Sequence, residues 1–279
     1  MQNNQLSYEH TIALLLPSYK RIDDLFKVLY YTPLLDNMKF IVTANYDSGE
    51  LLKMKEIFRD KAIFIDEQLY GKGGMIKAYN LAFFLAKELQ FDYVALWADD
   101  IMPRKADWHR QVNNIIASTD FDFGIFSTDE CHKHVFGWNF FNEIPNAHFF
   151  ITKRRVLGDF FLNPCLNAYV SDYEVCVRMI ANGTKLTLLP IKLNHYPTQN
   201  EGREKNSQFY KYDLNMFNAL HPALRGVMDE VVLVGNYSAN GKFILDTGEL
   251  LDSDSYNQQF ISYEKLLSYK EPSNPGDLL

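Results

Sequence analysis

Five consecutive apolar residues, Ile12 to Leu16, open the patterned part of the chain. A run that is apolar at every position, rather than at every second one, predicts a strand covered on both faces, as in the middle of a parallel sheet. Pro17-Ser18 is expected to stop it. Ile22, Leu25, Phe26 and Leu29 then recur at helical spacing, and Phe40 to Ala44 reads as a second strand. Asp47-Ser48-Gly49 makes a turn, Leu51 to Phe58 a helix and Ala62 to Ile65 a third strand. Strictly alternating strands and helices predict right-handed crossovers and a doubly wound, mostly parallel α/β sheet.

Gly71-Lys72-Gly73-Gly74 precedes the clearest helical pattern, whose apolar face is Ile76, Tyr79, Phe83, Ala86 and Leu89. Tyr93 to Trp97 is another fully apolar strand, and Asp99-Asp100 stand just past its end. Ligands of open parallel sheets collect outside the carboxyl ends of the strands. Ser18, Asp47, Asp99 and Asp100 are therefore expected to converge on one crevice. The second half is less regular. Asp122 to Ser127 reads as a strand, Phe136 to Phe150 is aromatic-rich without a period, and Ser171 to Ala181 reads as a helix closed by Asn182-Gly183. Leu186 to Leu189 and Ile191 to Asn194 read as two strands, and Asn200 to Gln208 as a polar connection. Residues 231–234 and 243–245 flank Gly235 to Gly241 as a hairpin would, and the Pro/Ser/Asn-rich tail after Tyr269 is expected to fray.

Composition narrows the function. A hydrophobic share of 47% with 15% aromatics can offset the entropy of ordering, which excludes a disordered chain. A formal charge of −7 argues against nucleic-acid binding, which needs basic residues to neutralise phosphates. A small anion is still accessible to such a chain if clustered carboxylates hold a divalent cation against it. Cys131, Cys165 and Cys176 are too widely spaced for a disulfide framework or a zinc motif. The five-residue apolar run is too short for a signal peptide or a membrane span, so a cytoplasmic protein is expected, with peripheral membrane attachment through exposed aromatics left open.

Pro17-Ser18-Tyr19, then Asp47, then Gly74-x-x-x-Ala78-x-Asn80, then Ala98-Asp99-Asp100, resembles the order of motifs in family 2 glycosyltransferases with the GT-A fold. Arg154-Arg155, Ser171-Asp172, Arg178 and Gly183 continue the resemblance, which covers roughly residues 11 to 196. It implies a catalytic domain over residues 1–199 and a helical or hairpin extension over 200–279. Asp99 and Asp100 are similar to the family's acidic motif, whose carboxylates hold Mg²⁺ or Mn²⁺ against the diphosphate of a nucleotide sugar; Asp100 is the ligand of choice, and Ala98 replaces the first acid of a fuller Asp-x-Asp. His195, before Tyr196-Pro197, resembles the histidine that completes that metal site. Asp172 resembles the catalytic base, which takes the acceptor's hydroxyl proton in an inverting transfer; Ser171 stands where the family has glutamate.

The resemblance further implies nucleotide contacts from Pro17, Ser18, Tyr19, Asp47, Gly74 and Asp99. Asp47 would read the base edge, Tyr19 would stack on the base, and Gly74 would offer helix N–H groups. Trp138 and His148 fall where acceptor contacts lie, with Phe140, Phe141 and Phe149 beside them. Arg203 and Lys205 could close over the diphosphate. Structural alternatives stand beside these roles: Asp47-Ser48-Gly49 is good turn chemistry, and Ser171-x-x-Glu174 is also a capping box. The expected activity is transfer of a sugar from a nucleotide diphosphate sugar, UDP-linked by preference, to a hydroxyl of a glycan or glycolipid. Two rivals remain. One is a catalytically silent nucleotide-sugar or glycan-binding protein on the same scaffold, suggested by Ala98 and Ser171; the other is a sugar-phosphate nucleotidylyltransferase, which usually carries a glycine-rich loop where Pro17-Ser18-Tyr19-Lys20 stands.

Overall fold

A computed structural model describes residues 9–45, 48–66, 74–119, 121–128, 147–196 and 209–222. Eight strands and six α-helices are placed among them: β1 (Ile12–Tyr19), α1 (Ile22–Tyr31), β2 (Met38–Asn45), α2 (Ser48–Ile57), β3 (Ala62–Asp66), α3 (Gly74–Glu88), β4 (Tyr93–Leu96) and β5 (Ile101–Pro103) come first. Then follow α4 (Trp108–Thr119), β6 (Phe123–Thr128), β7 (Phe150–Lys153), α5 (Ser171–Ala181), β8 (Leu186–His195) and α6 (Tyr210–Leu220). All eight strands form one sheet in the order β3-β2-β1-β4-β7-β6-β8-β5. The hairpin and tail expected after residue 230 lie outside the described residues.

The first half is the parallel, alternating unit that the apolar runs predict: β3, β2, β1 and β4 are mutually parallel. Ile12 to Leu16 are all fully buried, so both faces of β1 are covered. Beyond β4 the sheet becomes mixed. β7 pairs antiparallel with both β4 and β6, β6 pairs parallel with β8, and β5 antiparallel with β8.

Four expectations are corrected. Pro17 does not stop β1, which runs on to Tyr19 in register with β2. It stops only the ladder to β4. Trp97 N–H donates to the Leu15 carbonyl at 3.0 Å, and the next donor in a parallel ladder would be the N–H of residue 17, which proline lacks. The Tyr79 hydroxyl donates to the Trp97 carbonyl instead, at 2.7 Å. Residues 97–100 are thus released from the sheet while β1 continues. The two strands expected at 186–194 are one, β8, whose pairing with β6 shifts register between Phe126 and Ser127, opposite Pro190 and Ile191. Proline has no ladder donor and is tolerated at such an irregularity. Leu89 falls past the end of α3 and is exposed. Ser171 is not a capping residue: Val170 is the N-cap, and the Ser171 hydroxyl donates back to the Ala168 carbonyl.

Gly124 marks how tightly the mixed half is packed. A Cβ there would lie 2.8 Å from Leu189 Cδ1 and 2.9 Å from Phe121 Cε2, both on buried side chains. G124A is expected to destabilise the fold by about 1–3 kcal/mol, the usual cost of overpacking, read as a lower denaturant midpoint at unchanged slope.

Candidate active site

Residues 97–100 leave the sheet at the carboxyl ends of β1 and β4, and α1 starts just after β1. Asp99 is buried, and both its oxygens are engaged: Ser18 Oγ donates to Oδ2 at 2.6 Å and Arg21 Nη1 to Oδ1 at 2.8 Å. Arg21 Nη1 also donates to Asp100 Oδ2 at 3.2 Å, and Arg21 Nε to Asp24 Oδ2 at 3.1 Å. One guanidinium therefore bridges the adjacent acids and the first turn of α1. Burial pushes the Asp99 carboxyl up to about 7, against the pull of Arg21 and Ser18. Burial acts the same way on Asp100, but His195 and Arg21 win there and hold it below the ordinary carboxylate range.

His195 reaches Asp100 because β5 and β8 are antiparallel neighbours, with Ile101 opposite His195 and the Tyr196 N–H donating to the Asp100 carbonyl at 2.7 Å. His195 Nε2 lies 3.6 Å from Asp100 Oδ2, an ion-pair distance when the ring is protonated and too long for a hydrogen bond. The ring packs edge-on against Phe149, with centroids 5.4 Å apart. Phe149 follows His148, whose Nε2 lies 3.0 Å from Asp172 Oδ2 at the start of α5. A continuous line of contacts, Asp100 to His195 to Phe149 and His148 to Asp172, thus joins the acidic pair to the expected base.

Asp100, His195, His148, Asp172, Ser18 and Asp99 are therefore brought into one region. Tyr19 is at the end of β1, with the Lys20 ammonium 5.4 Å from its ring centroid, and Gly74 is the buried first residue of α3. Asp47, Trp138, Arg203 and Lys205 lie outside the described residues. Asn80 and Arg178, two further members of the resemblance, brace backbone. Asn80 accepts from the N–H groups of Phe161 and Leu162 and donates to the Leu162 carbonyl, and Arg178 donates to the carbonyls of Leu157 and Phe161. Both fix the segment that leads to Asp172.

Sequence reasoning missed Arg21. Its local features are its place as N-cap of α1, where Ser, Thr, Asp or Asn is preferred and no side-chain cap forms, and its i,i+3 pair with Asp24; the acids that place it in the site, Asp99 and Asp100, are 78 and 79 positions away. The same guanidinium bears on the metal. Among the described residues no three His, Cys, Asp or Glu side chains gather closely enough to hold an ion by themselves. Asp100 and His195 nevertheless offer a carboxylate and an imidazole 3.6 Å apart. Two protein ligands suit Mg²⁺ or Mn²⁺, which commonly take one or two carboxylates and complete their shell with ligand phosphates and water. The residues present fit such an ion once Arg21 shares or yields Asp100.

By sequence, no family profile and no curated protein matches the chain. By fold, it is similar to the mannosyltransferase PcManGT from Pyrobaculum calidifontis in complex with GDP-Man and Mn²⁺, with TM-score 0.54 and 12% identity over 73% of this chain and 62% of that one. It is similar to S. aureus TarS 1-349 in complex with UDP (TM-score 0.51, 12% identity, 77% of this chain and 75% of that one). It is also similar to glucosyl-3-phosphoglycerate synthase from Mycobacterium tuberculosis in complex with Mg²⁺ and UDP (TM-score 0.50, 11% identity, 75% and 79%). The fold is GT-A. The chain spans less than two thirds of the mannosyltransferase's length. Among the described residues no helix is long and apolar enough to cross a membrane.

Proposed function

We propose that the protein is a glycosyltransferase that moves a sugar from a nucleotide diphosphate donor, preferably UDP-linked, to a hydroxyl of a glycan or glycolipid, with inversion. The observation that carries this reading is the line of contacts from Asp100 through His195 and Phe149 to Asp172. It sets an acidic pair suited to a cation-bound diphosphate beside a carboxylate that an acceptor can reach. Structural neighbours crystallised with GDP-Man, UDP and Mn²⁺ or Mg²⁺ support the donor class.

In this reading Ser18 and Asp99 form the floor of the donor site with Arg21, and Tyr19 and Asp47 meet the base. Asp172 takes the proton of the attacking hydroxyl; its side chain keeps 20% of its surface exposed, enough for access. His148, 47% exposed and paired with Asp172, holds the carboxylate in orientation and would meet the acceptor, a role the resemblance also gives to Trp138. Asp100 and His195 would hold a Mn²⁺ or Mg²⁺ ion, which neutralises the charge that grows on the diphosphate leaving group. The catalytic unit would run to residue 199, with 200–279 as its extension.

The direct test is release of nucleotide diphosphate from UDP-glucose and GDP-mannose, with Mn²⁺ supplied or chelated. Release that requires Mn²⁺ is expected. Tight binding of either donor with no release would make the chain a silent binding protein on the same fold.

A further inference from the structure

The helix after the catalytic region, α6, reaches back to the segment just ahead of Asp172. Asp213, in its first turn, is fully buried. Its carboxylate accepts four hydrogen bonds from one short loop: the Asn167 N–H and side-chain amide at 2.8 Å on Oδ1, and the Ala168 and Tyr169 N–H groups at 2.9 and 2.8 Å on Oδ2. Tyr210 packs edge-on against Tyr169 at 5.3 Å, and Phe217, also fully buried, anchors the far end of α6. His221 follows, 3.7 Å from Glu174 on α5.

This grip falls one residue short of a strained position. Val170 has φ 53° and ψ 8°, the left-handed region, which a β-branched residue avoids. It is also the N-cap of α5, so its dihedrals set the direction in which Ser171 and Asp172 leave the loop. Only surrounding structure that over-determines the backbone keeps such a residue there. The three N–H groups held by Asp213 precede Val170, and the Ser171 hydroxyl ties the following turn to the Ala168 carbonyl at 3.0 Å.

We propose that Asp213 is a positioning residue for Asp172: by clamping the N–H groups of 167–169 it forces Val170 into the left-handed conformation that points Asp172 at His148 and the acceptor. The role rests on the reading of Asp172 as the base. It gives α6 a task in the active site without contact to substrate, and makes the chain beyond residue 200 necessary for turnover.

The test is D213N in the full chain. An amide of the same shape has one accepting oxygen and turns an NH₂ group toward N–H donors, so one side of the clamp opens. Amide hydrogen exchange at 167–169 is expected to speed up at least about tenfold while the β1 and β2 amides keep their rates. A crystal structure of D213N is expected to show Val170 out of the left-handed region and Asp172 Oδ2 beyond about 4 Å from His148 Nε2. Adding V170G, which accepts positive φ without steric cost, is expected to restore that contact and most of kcat for whichever of UDP-glucose and GDP-mannose is turned over, with KM for the donor unchanged throughout. If D213N does not fold, D213E, which displaces the same charge by one methylene, carries the same comparisons. Wild-type exchange at 167–169, or an intact Asp172–His148 contact in the variant, overturns the proposal. Failure of the base reading shows elsewhere, as wild-type turnover by D172N.

Discussion

Replacing Asp172 by asparagine is expected to slow sugar transfer by about 100- to 10,000-fold, the usual contribution of a positioned general base, while donor binding stays within twofold. The substitution keeps the shape of the side chain and removes its ability to take a proton. Donor affinity is expected to be unaffected because Asp172 is held by His148, whereas Asp99 and Asp100 are held by Ser18, Arg21 and His195. Stability discriminates this role from a purely structural one. A carboxylate in the first turn of α5 interacts favourably with the helix dipole by about 0.3–1 kcal/mol, so D172N lowers the melting temperature by only a few degrees. Steady-state kinetics and a donor titration on one preparation separate the outcomes. A variant that loses a few degrees and keeps its rate would reduce Asp172 to a helix-end charge, and the inverting chemistry would then have no base.

Much of this arrangement could be read from the chain, for identifiable reasons. β1, β2 and β4 are buried on both faces, and full burial writes itself as unbroken apolar runs. α5 was legible from end to end because Ser171 to Ala181 has helical spacing and Gly183, with φ 74°, closes it in the conformation glycine takes most easily. β7 is equally buried, yet it sits at the edge of an aromatic-rich stretch with no period to set it apart. β5 is three residues long and ends in proline, so no window of sequence reveals it; it exists because β8 supplies its ladder. α4 carries Trp108, Val112 and Ile116 on its buried face at helical spacing, diluted by the polar residues between them.

The site divides along the same line. Asp99, Asp100, His195 and Asp172 stand at the ends of regular elements, where topology alone predicts convergence. Arg21 reaches Asp99 across 78 positions and Asp213 reaches Asn167 across 46, and nothing near them in sequence announces those partners. Glu174 shows how local chemistry misleads. Its spacing from Ser171 suggests a capping box, whereas the carboxylate is buried against Arg178, Asn163 and His221. Burial alone would raise it, but those partners hold it below the ordinary carboxylate value.

Removing Arg21 is expected to have the largest effect on stability. R21M keeps the aliphatic length and leaves Asp99 and Asp100 side by side without their shared cation. Breaking a buried ion pair costs about 3–5 kcal/mol, and the lower end applies because Asp100 keeps 17% of its side chain exposed. For a chain of this size that is a fall of roughly 6–12 °C in melting temperature. Two remedies should recover it. Asp99 titrates at about 7 in the folded protein, far above its ordinary value of 3.8. The cost of its buried charge is therefore complete above pH 7, shrinks as the pH falls from 7 toward 4, and is gone below that. R21M lacks the guanidinium that pulls this value down, so it should gain more stability than the wild type between pH 8 and 6. Mn²⁺ at neutral pH is the second remedy. With no guanidinium competing for Asp100, the ion should raise the melting temperature of R21M more than that of the wild type, by the linkage between binding and folding. A variant that melts like the wild type and ignores both protons and Mn²⁺ would mean that Arg21 does not balance these acids and that no cation is needed there.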